Sequence, residues 1–506
     1  VVFNDAPLTL DATGHGRGEE ATADYVLAQE HLREAYHLAL GIAADPVATD
    51  AAIALSLVYY RQAEFADSFA WSEHARSLLR RTDDPPEQAV LYLLYRSYSQ
   101  SRLGLHVDAI DSAERALTLA EAEFSPLDPR RGRMLAGLAH ARWAAGDDAR
   151  ALDLFKRSQL SWSDGLGADH PFVASSAINI STIYINRRAF DDAAAVLRPA
   201  LGIMERAFGP DHPNVADTLV NLASLATIQG RLREAAEAAD RALRIYLRVD
   251  PERQEIISLL ADLGDLQHLL GHHDEGLASL RHALALRRRL PAPDLALQAQ
   301  LHVMIGDVLA DMRRPQAADD EYRVALDLLD RRPDPLTRQG ALAGRARLAR
   351  ERGAAAEAEA LARQGLALDV GAEHERAPIL SEHGNALLAL GRVDEALTAC
   401  KQALVLDERS FGVDNFRTTP ALLCLGRAYH ARKQDSAAAD AFERAIAIHE
   451  RSDTAPELRA AARAALAAVL RAREPAAAAT LAGRAAEDYS RAGPAFARDA
   501  ARLREG

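Results

Sequence analysis

Apolar residues fall three and four positions apart through the stretch "NVADTLVNLASLATIQGRLREAAEAADRALRIY" (214–246), with one polar break at "QGR". That pattern predicts two amphipathic helices joined by a short turn. Forty-two residues upstream, "LGADHPFVASSAINISTIYINRRAFDDAAAVLRPALGIM" carries the same pattern in the same order. Taking the turn as anchor, the pattern recurs at Ala63, Gly104, Gly146, Arg188, Gly230, Gly271, Arg313, Gly353, Gly391, Lys433 and Arg473, at spacings of 38 to 42 residues. Eleven helical hairpins are therefore predicted.

Small residues recur in register with these turns. Five residues after the turn they run from Ser68, Ala109 and Ala151 to Ala438 and Ala478; twelve after it, from Ala75 and Ala116 to Ala445 and Ala485. Seven before it, small residues run from Ser56 to Gly426 and then give way to Leu466. Two antiparallel helices pack closely only where their contact positions are small. Large apolar residues fill the space beside them, as at Leu55, Leu138, Ile180 and Leu263, whereas Arg96 and Arg345 interrupt that apolar row. One hairpin cannot bury its apolar face alone, so the units must stack and share a core.

This helix–turn–helix with three small columns resembles the tetratricopeptide repeat. The linkers "LGADHP…NIS" and "FGPDHP…NLA" resemble the kinesin-light-chain-like subclass. The resemblance implies an all-α, right-handed superhelical solenoid of about eleven stacked hairpins over residues 50–490. Residues 1–18 read as an extended lead-in, 19–49 as an N-terminal capping helix, and 491–506 as a C-terminal cap. The resemblance also implies a protein or peptide ligand held on the inward surface formed by the first helix of each hairpin, with no catalysis by the array itself. Similar arrays stand beside kinase, NTPase or protease domains in bacterial signalling proteins, so a fused or associated catalytic domain is one expectation and a peptide-pheromone receptor another.

Composition agrees with helix: Ala, Leu, Arg and Glu dominate and aromatic residues make only 5%. A formal charge of −13 gives no support to a nucleic-acid partner. Lys156, Lys401 and Lys433 are the only lysines, which reads as the arginine bias of a GC-rich bacterial genome. No apolar run reaches the roughly 20 residues needed to span a bilayer, and no secretory leader is visible, so no membrane partner and a cytoplasmic location are expected. Val1 in place of Met implies a processed product or a segment of a longer protein. Cys400 and Cys424 fall on predicted helices and read as core thiols rather than a disulfide framework.

Chemistry is sparse. "GHGRGEE" (14–20) lacks the lysine of a phosphate loop. No zincin, nucleophile-elbow or kinase motif is present, so no catalytic residue and no cofactor are assigned. His272, His273 and Asp274, with His268 behind them, are the most metal-like cluster, but they read as a solvated turn and no metal is assigned. The two Asp-His-Pro triplets read as helix starts: Pro171 and Pro213 suit the first turn, and Asp169 and Asp211 suit a cap.

Two rows, six and three residues before each turn, are expected to face inward. They supply Tyr60, Tyr98, His140 and Trp143 early, Thr182 and Ser224 in the middle, then Asp265 and Asp307, and finally Arg347, Arg350 and Arg427. Aromatic residues and arginines are common interface anchors, and a groove of changing charge suits a segmented peptide. The resemblance adds Asn179 and Asn221, which match the asparagine of its "NLA" pattern and would hold a peptide backbone. The preceding asparagine of that pattern is replaced by Ile178 and Val220, so the subclass's cargo specificity does not transfer.

Overall fold

The structure, a computed structural model, describes residues 25–505 apart from 84, 252, 254, 291–293 and 372. The expected lead-in over 1–18 and the "GHGRGEE" stretch lie outside the described residues. Every regular element among the described residues is helical. The chain divides into two compact units, 1–225 and 226–506.

The first unit contains α1 (Tyr25–Gly41) and then four hairpins: α2 (Asp45–Arg61) with α3 (Phe65–Leu79), α4 (Pro86–Arg102) with α5 (His106–Glu123), α6 (Pro129–Ala144) with α7 (Asp148–Leu166), and α8 (Pro171–Asn186) with α9 (Phe190–Phe208). Helix α10 (Pro213–Ile228) runs across the division. The second unit continues with α11 (Leu232–Val249), α12 (Glu255–Leu269), α13 (His273–Arg289), α14 (Leu295–Asp311), α15 (Pro315–Arg331), α16 (Pro335–Glu351) and α17 (Ala355–Leu366). It ends with α18 (Ala377–Ala389), α19 (Val393–Phe411), α20 (Thr419–Ala431), α21 (Asp435–Arg451), α22 (Pro456–Leu470), α23 (Pro475–Arg491) and α24 (Ala497–Glu505). The fold is an all-α helical-repeat solenoid, as the periodicity predicts.

Ten of the eleven turns share one backbone device; Arg473 does not. The anchor residue adopts left-handed φ at Gly104, Gly146, Gly230, Gly271, Gly353 and Gly391, and equally at Ala63, Arg188, Arg313 and Lys433. The next residue's amide reaches back five positions, as in Leu105 N to Gln100 O and Gln434 N to Tyr429 O, both 2.9 Å. This is a Schellman cap, which satisfies the last carbonyls of the first helix and reverses the chain. Glycine fits that conformation without strain; the non-glycine residues hold it at a cost of about 1 kcal/mol each. Many first helices begin with proline in their first turn, as at Pro129, Pro171, Pro335 and Pro456, where no amide hydrogen is needed.

The small columns lie at the hairpin contacts. Ala109, Ala151, Ala318 and Ala396 of the second column and Ala75, Ala116, Ala325 and Ala403 of the third are fully buried. The first column in chain order, seven residues before the turn, has as its counterpart the residue sixteen positions on, in the second helix. At three of its four glycines that residue is large: a methyl on Gly306 would lie 2.6 Å from the Tyr322 ring, on Gly426 2.6 Å from Phe442, and on Gly264 2.8 Å from Leu280. Ala223 and Ala346 face Ala239 and Ala362 in the sequence register. Leu466, the one exception in the column, has Ala482 at that place, so the large and small partners are exchanged. At Ser56 and Ser97 the hydroxyl crosses the hairpin, donating to Ser68 O at 2.9 Å and Ala109 O at 2.7 Å, whereas Ser181 donates to Ile178 O of its own helix at 2.6 Å.

One expectation about the cysteines is corrected. Cys400 on α19 and Cys424 on α20 are joined by a buried disulfide, with Cα atoms 5.6 Å apart. Twenty-four residues separate them in sequence, but they occupy facing positions of adjacent helices. Gly384 on α18 makes room, since a methyl there would lie 2.7 Å from Cys400 Sγ and 2.6 Å from Cys424 Sγ.

The Asp-His-Pro triplets are structural, with roles reassigned. His170 and His212, not the aspartates, act on the helix starts: their Nδ1 atoms accept from Phe172 N and Asn214 N, each at 3.2 Å. Asp169 instead pairs with Arg206 on α9 at 2.7 Å. The ring reaches the second amide past the cap while the shorter carboxylate, one residue earlier, points across to the neighbouring helix. Asn415 takes the same part in the linker "FGVDNF", accepting from Arg417 N at 3.0 Å.

Candidate binding surfaces

The first unit brings together the early aromatic positions. Tyr60 on α2 and Tyr98 on α4 have ring centroids 5.5 Å apart. Tyr98 meets His140 on α6 edge-on at 6.2 Å, and His140 meets Phe155 at 4.9 Å. Asn179 on α8 continues the line, its Nδ2 lying 3.5 Å from His140 Nε2. Successive hairpins thus contribute one group each to a half-buried ladder, with Trp143 half-buried beside it. Asn179 is only 4% exposed and its Oδ1 has no hydrogen-bond partner among the described residues. A buried amide oxygen left in that state favours an incoming N–H donor.

Thr182 and Asn221 are corrected. Thr182 is 2% exposed and its hydroxyl donates to Ile178 O of its own helix at 3.3 Å. Asn221 is fully buried and its amide donates to Asp217 O at 3.0 Å. Their side chains are turned back along the helix instead of being offered on a surface. Ser224 does the same, donating to Val220 O at 3.0 Å, but stays half-buried.

In the second unit one chain of charged groups and three separate pairs hold the charged positions. His268 Nε2 on α12 lies 3.1 Å from Asp311 on α14. Asp311 also pairs with Arg347 on α16, whose Nε donates to Glu351 at 3.0 Å. Asp307 accepts from the Tyr322 hydroxyl at 2.7 Å. Arg350 donates to Glu382 on α18 at 3.2 Å, and Arg427 on α20 donates to Asn385 at 3.1 Å. Burial works against charge on Asp311, but the Arg347 guanidinium and the His268 bond hold its carboxyl well below the usual range. Burial pushes Asp307 up to about 6 despite the Tyr322 bond, and raises Asp265 as well. Burial opposes charge on His268, but its bond to Asp311 and the surrounding carboxylates outweigh this and raise its pKa.

Asp307, Arg347, Arg350 and Arg427 are thus each held by a residue outside that set: Tyr322, Asp311, Glu382 and Asn385. The structure adds His273 and Glu457. His273 is buried: its Nδ1 lies 3.0 Å from His268 Nδ1 and its Nε2 lies 2.7 Å from Glu457 on α22. No sequence pattern links Glu457 to His273, which stands 184 residues earlier. The turn is not uniformly solvated as expected: His272 and Asp274 are exposed, but His273 is not. Among the described residues no group of three or more His, Cys, Asp or Glu side chains is arranged to hold a metal ion. No described helix is long and apolar enough to cross a membrane.

Comparison with known proteins agrees with the repeat. The tetratricopeptide repeat family model matches residues 172–248 and 375–451. Over 166 residues the chain is 24% identical to a clustered mitochondria protein homolog of Candida albicans, a match covering 32% of this chain and 12% of that protein. The chain thus spans about an eighth of that relative's length. Among solved structures it is similar to kinesin-light-chain TPR-like repeats from Podosopora anserina, at 17% identity and TM-score 0.36, covering 41% of this chain and 98% of that one. It is similar to a Rap protein complexed with competence and sporulation factor, at 12% identity and TM-score 0.48, covering 80% and 98%. A third is the Cut9 and Hcn1 tetramer of the APC/C, at 13% identity and TM-score 0.39, covering 94% and 96%. Scores below 0.5 carry no argument about function.

Proposed function

We propose that this chain is a non-catalytic scaffold that captures a protein or peptide segment along the inward faces of its hairpins. The observation that carries this reading is the ladder Tyr60–Tyr98–His140–Asn179, which ends on a buried amide oxygen lacking a donor. Rigid aromatic faces supply contact area at low entropic cost, and an unpaired carboxamide oxygen rewards a peptide N–H. The charged positions of the second unit, taken by themselves, suit a partner of alternating charge. The finer assignment is a sensor or regulatory part of a bacterial cytoplasmic signalling system, working beside a catalytic domain elsewhere, with neither nucleic acid nor membrane as partner.

The test uses a photo-crosslinking residue at position 98 to recover the partner, followed by calorimetry with Tyr98→Ala and Trp143→Ala. Loss of both anchors is expected to weaken binding by about a thousandfold, at about 2 kcal/mol for each strong anchor and with circular dichroism unchanged. Affinity equal to that of the parent chain would reject the ladder as the site.

A further inference from the structure

In a linear array each repeat touches its neighbours only. Residues 226–506 depart from that. The linkers of late repeats lie against the turns of repeats roughly 185 residues earlier. Asn415 Nδ2 donates to Ile228 O at 2.7 Å, and Ala455 N donates to Leu269 O at 2.7 Å. Gly230 faces Ser452 and Phe416, and Gly271 faces Pro456 and Ala455. Arg233 pairs with Asp453. Arg313 pairs with Asp499 at 3.3 Å and lies over the Phe496 ring at 5.2 Å. These contacts form one continuous seam that follows three successive turns.

Two features distinguish the seam from the hairpin cores. It combines buried Phe416, Ala455 and Phe496 with polar contacts, and its ion pairs at Arg233 and Arg313 are substantially exposed, so they hold weakly. A cavity of about 340 Å³, lined by Arg233, Gln267, His272, Asp453 and Arg459 among others, remains beside it. Such an interface opens more readily than the alanine-packed hairpins around it. The buried bond between His273 and Glu457 is its innermost tie.

That tie also reaches the inward face. The chain Glu457–His273–His268–Asp311–Arg347 is unbroken from the seam to the charged positions. We infer that the seam is a latch: closed, it restricts access to the inward face of residues 226–506, and engagement of Arg347 or Asp311 by an incoming charged group loosens it through the two histidines. The inference concerns access and coupling and does not depend on which molecule binds.

Hydrogen exchange on the full chain tests the latch without mutation. The Ala455 amide is expected to exchange at least tenfold faster than amides within α12, α14 and α16; protection equal to theirs would overturn an openable seam. For access, Arg350→Cys gives a thiol on the inward face, with Cys400 and Cys424 already bonded. Its reaction with a 5 kDa polyethylene-glycol maleimide should accelerate at least fivefold when Asn415→Ala, Glu457→Ala and Asp499→Ala are added, while N-ethylmaleimide reacts at a nearly constant rate. Equal rates with the large reagent in a folded seam variant would refute gating. For coupling, Arg347→Gln should speed Ala455 exchange severalfold although Arg347 makes no seam contact among those above. An unchanged rate would sever the link between face and seam.

Discussion

Alanine substituted for glycine inside a helix should act with opposite sign at two places in this chain. Gly426 on α20 lies under the Phe442 ring, and an added methyl would stand 2.6 Å from its Cε1 and 2.7 Å from its Cζ. Phe442 is 1% exposed and has no solvent to retreat into. Overpacking of this kind costs about 1–3 kcal/mol, and the better helix propensity of alanine returns about 1 kcal/mol. Gly426→Ala should therefore destabilise by up to about 2 kcal/mol. Gly483 on α23 is exposed with nothing near a new methyl, so Gly483→Ala should stabilise by about 1 kcal/mol. An eleven-hairpin array need not unfold in one step, so the assay should read each helix by itself. Hydrogen exchange in urea, followed on peptides from α20–α21 and from α23, does this. Phe442→Leu should relieve the clash, so the double variant should be more stable than the summed single effects by at least about 1 kcal/mol. Strict additivity, or a gain from Gly426→Ala like that at Gly483, would refute the size-matching of the hairpin contact.

Three further outcomes follow from the same geometry. Asp407 is 5% exposed and burial pushes its pKa up to about 7, against the opposing Arg417 charge. A folded pKa above the unfolded value means the associated stability is full below about pH 4 and lost as pH rises through 7; Asp407→Asn should thus stabilise by about 2–4 kcal/mol at pH 8 and hardly at all at pH 4, as read by thermal melts. His170→Ala and His212→Ala should each cost about 1 kcal/mol, with His170→Asn restoring most of it. Burial lowers both imidazole pKa values, so this contribution is present above the unfolded value near 6.5 and lost as pH falls through the depressed folded one. Reducing the Cys400–Cys424 bond should destabilise α19–α20 by about 3 kcal/mol, the closure entropy of a loop of this length, measurable as faster exchange in those helices after dithiothreitol treatment.

The hairpin pattern was legible in the residues because every signal for it is local. Left-handed turns at Gly104 or Gly391, proline in first turns, and small residues at the helix crossings all act within one period of about forty residues. Even the irregular Leu466 follows from Ala482 in the same hairpin. The aromatic positions Tyr60 and Tyr98 and the charged positions Asp311 and Arg347 were named from the same period, and in the structure each meets a neighbour from the next hairpin.

What lay beyond the sequence is whatever depends on sums over many repeats or on the turn of one side chain. Thr182 stands in an expected row and Asn221 at the place the resemblance marks, yet rotamer and burial fold both back onto their own helix. Cys400 and Cys424 meet because two helices happen to bring facing positions within reach. The seam is the largest such effect. Each hairpin adds a small rotation that no residue encodes alone, and only their accumulation across roughly 185 residues brings Ala455 to Leu269 and Glu457 to His273. Local chemistry determined the unit; the tertiary structure decided which units meet again.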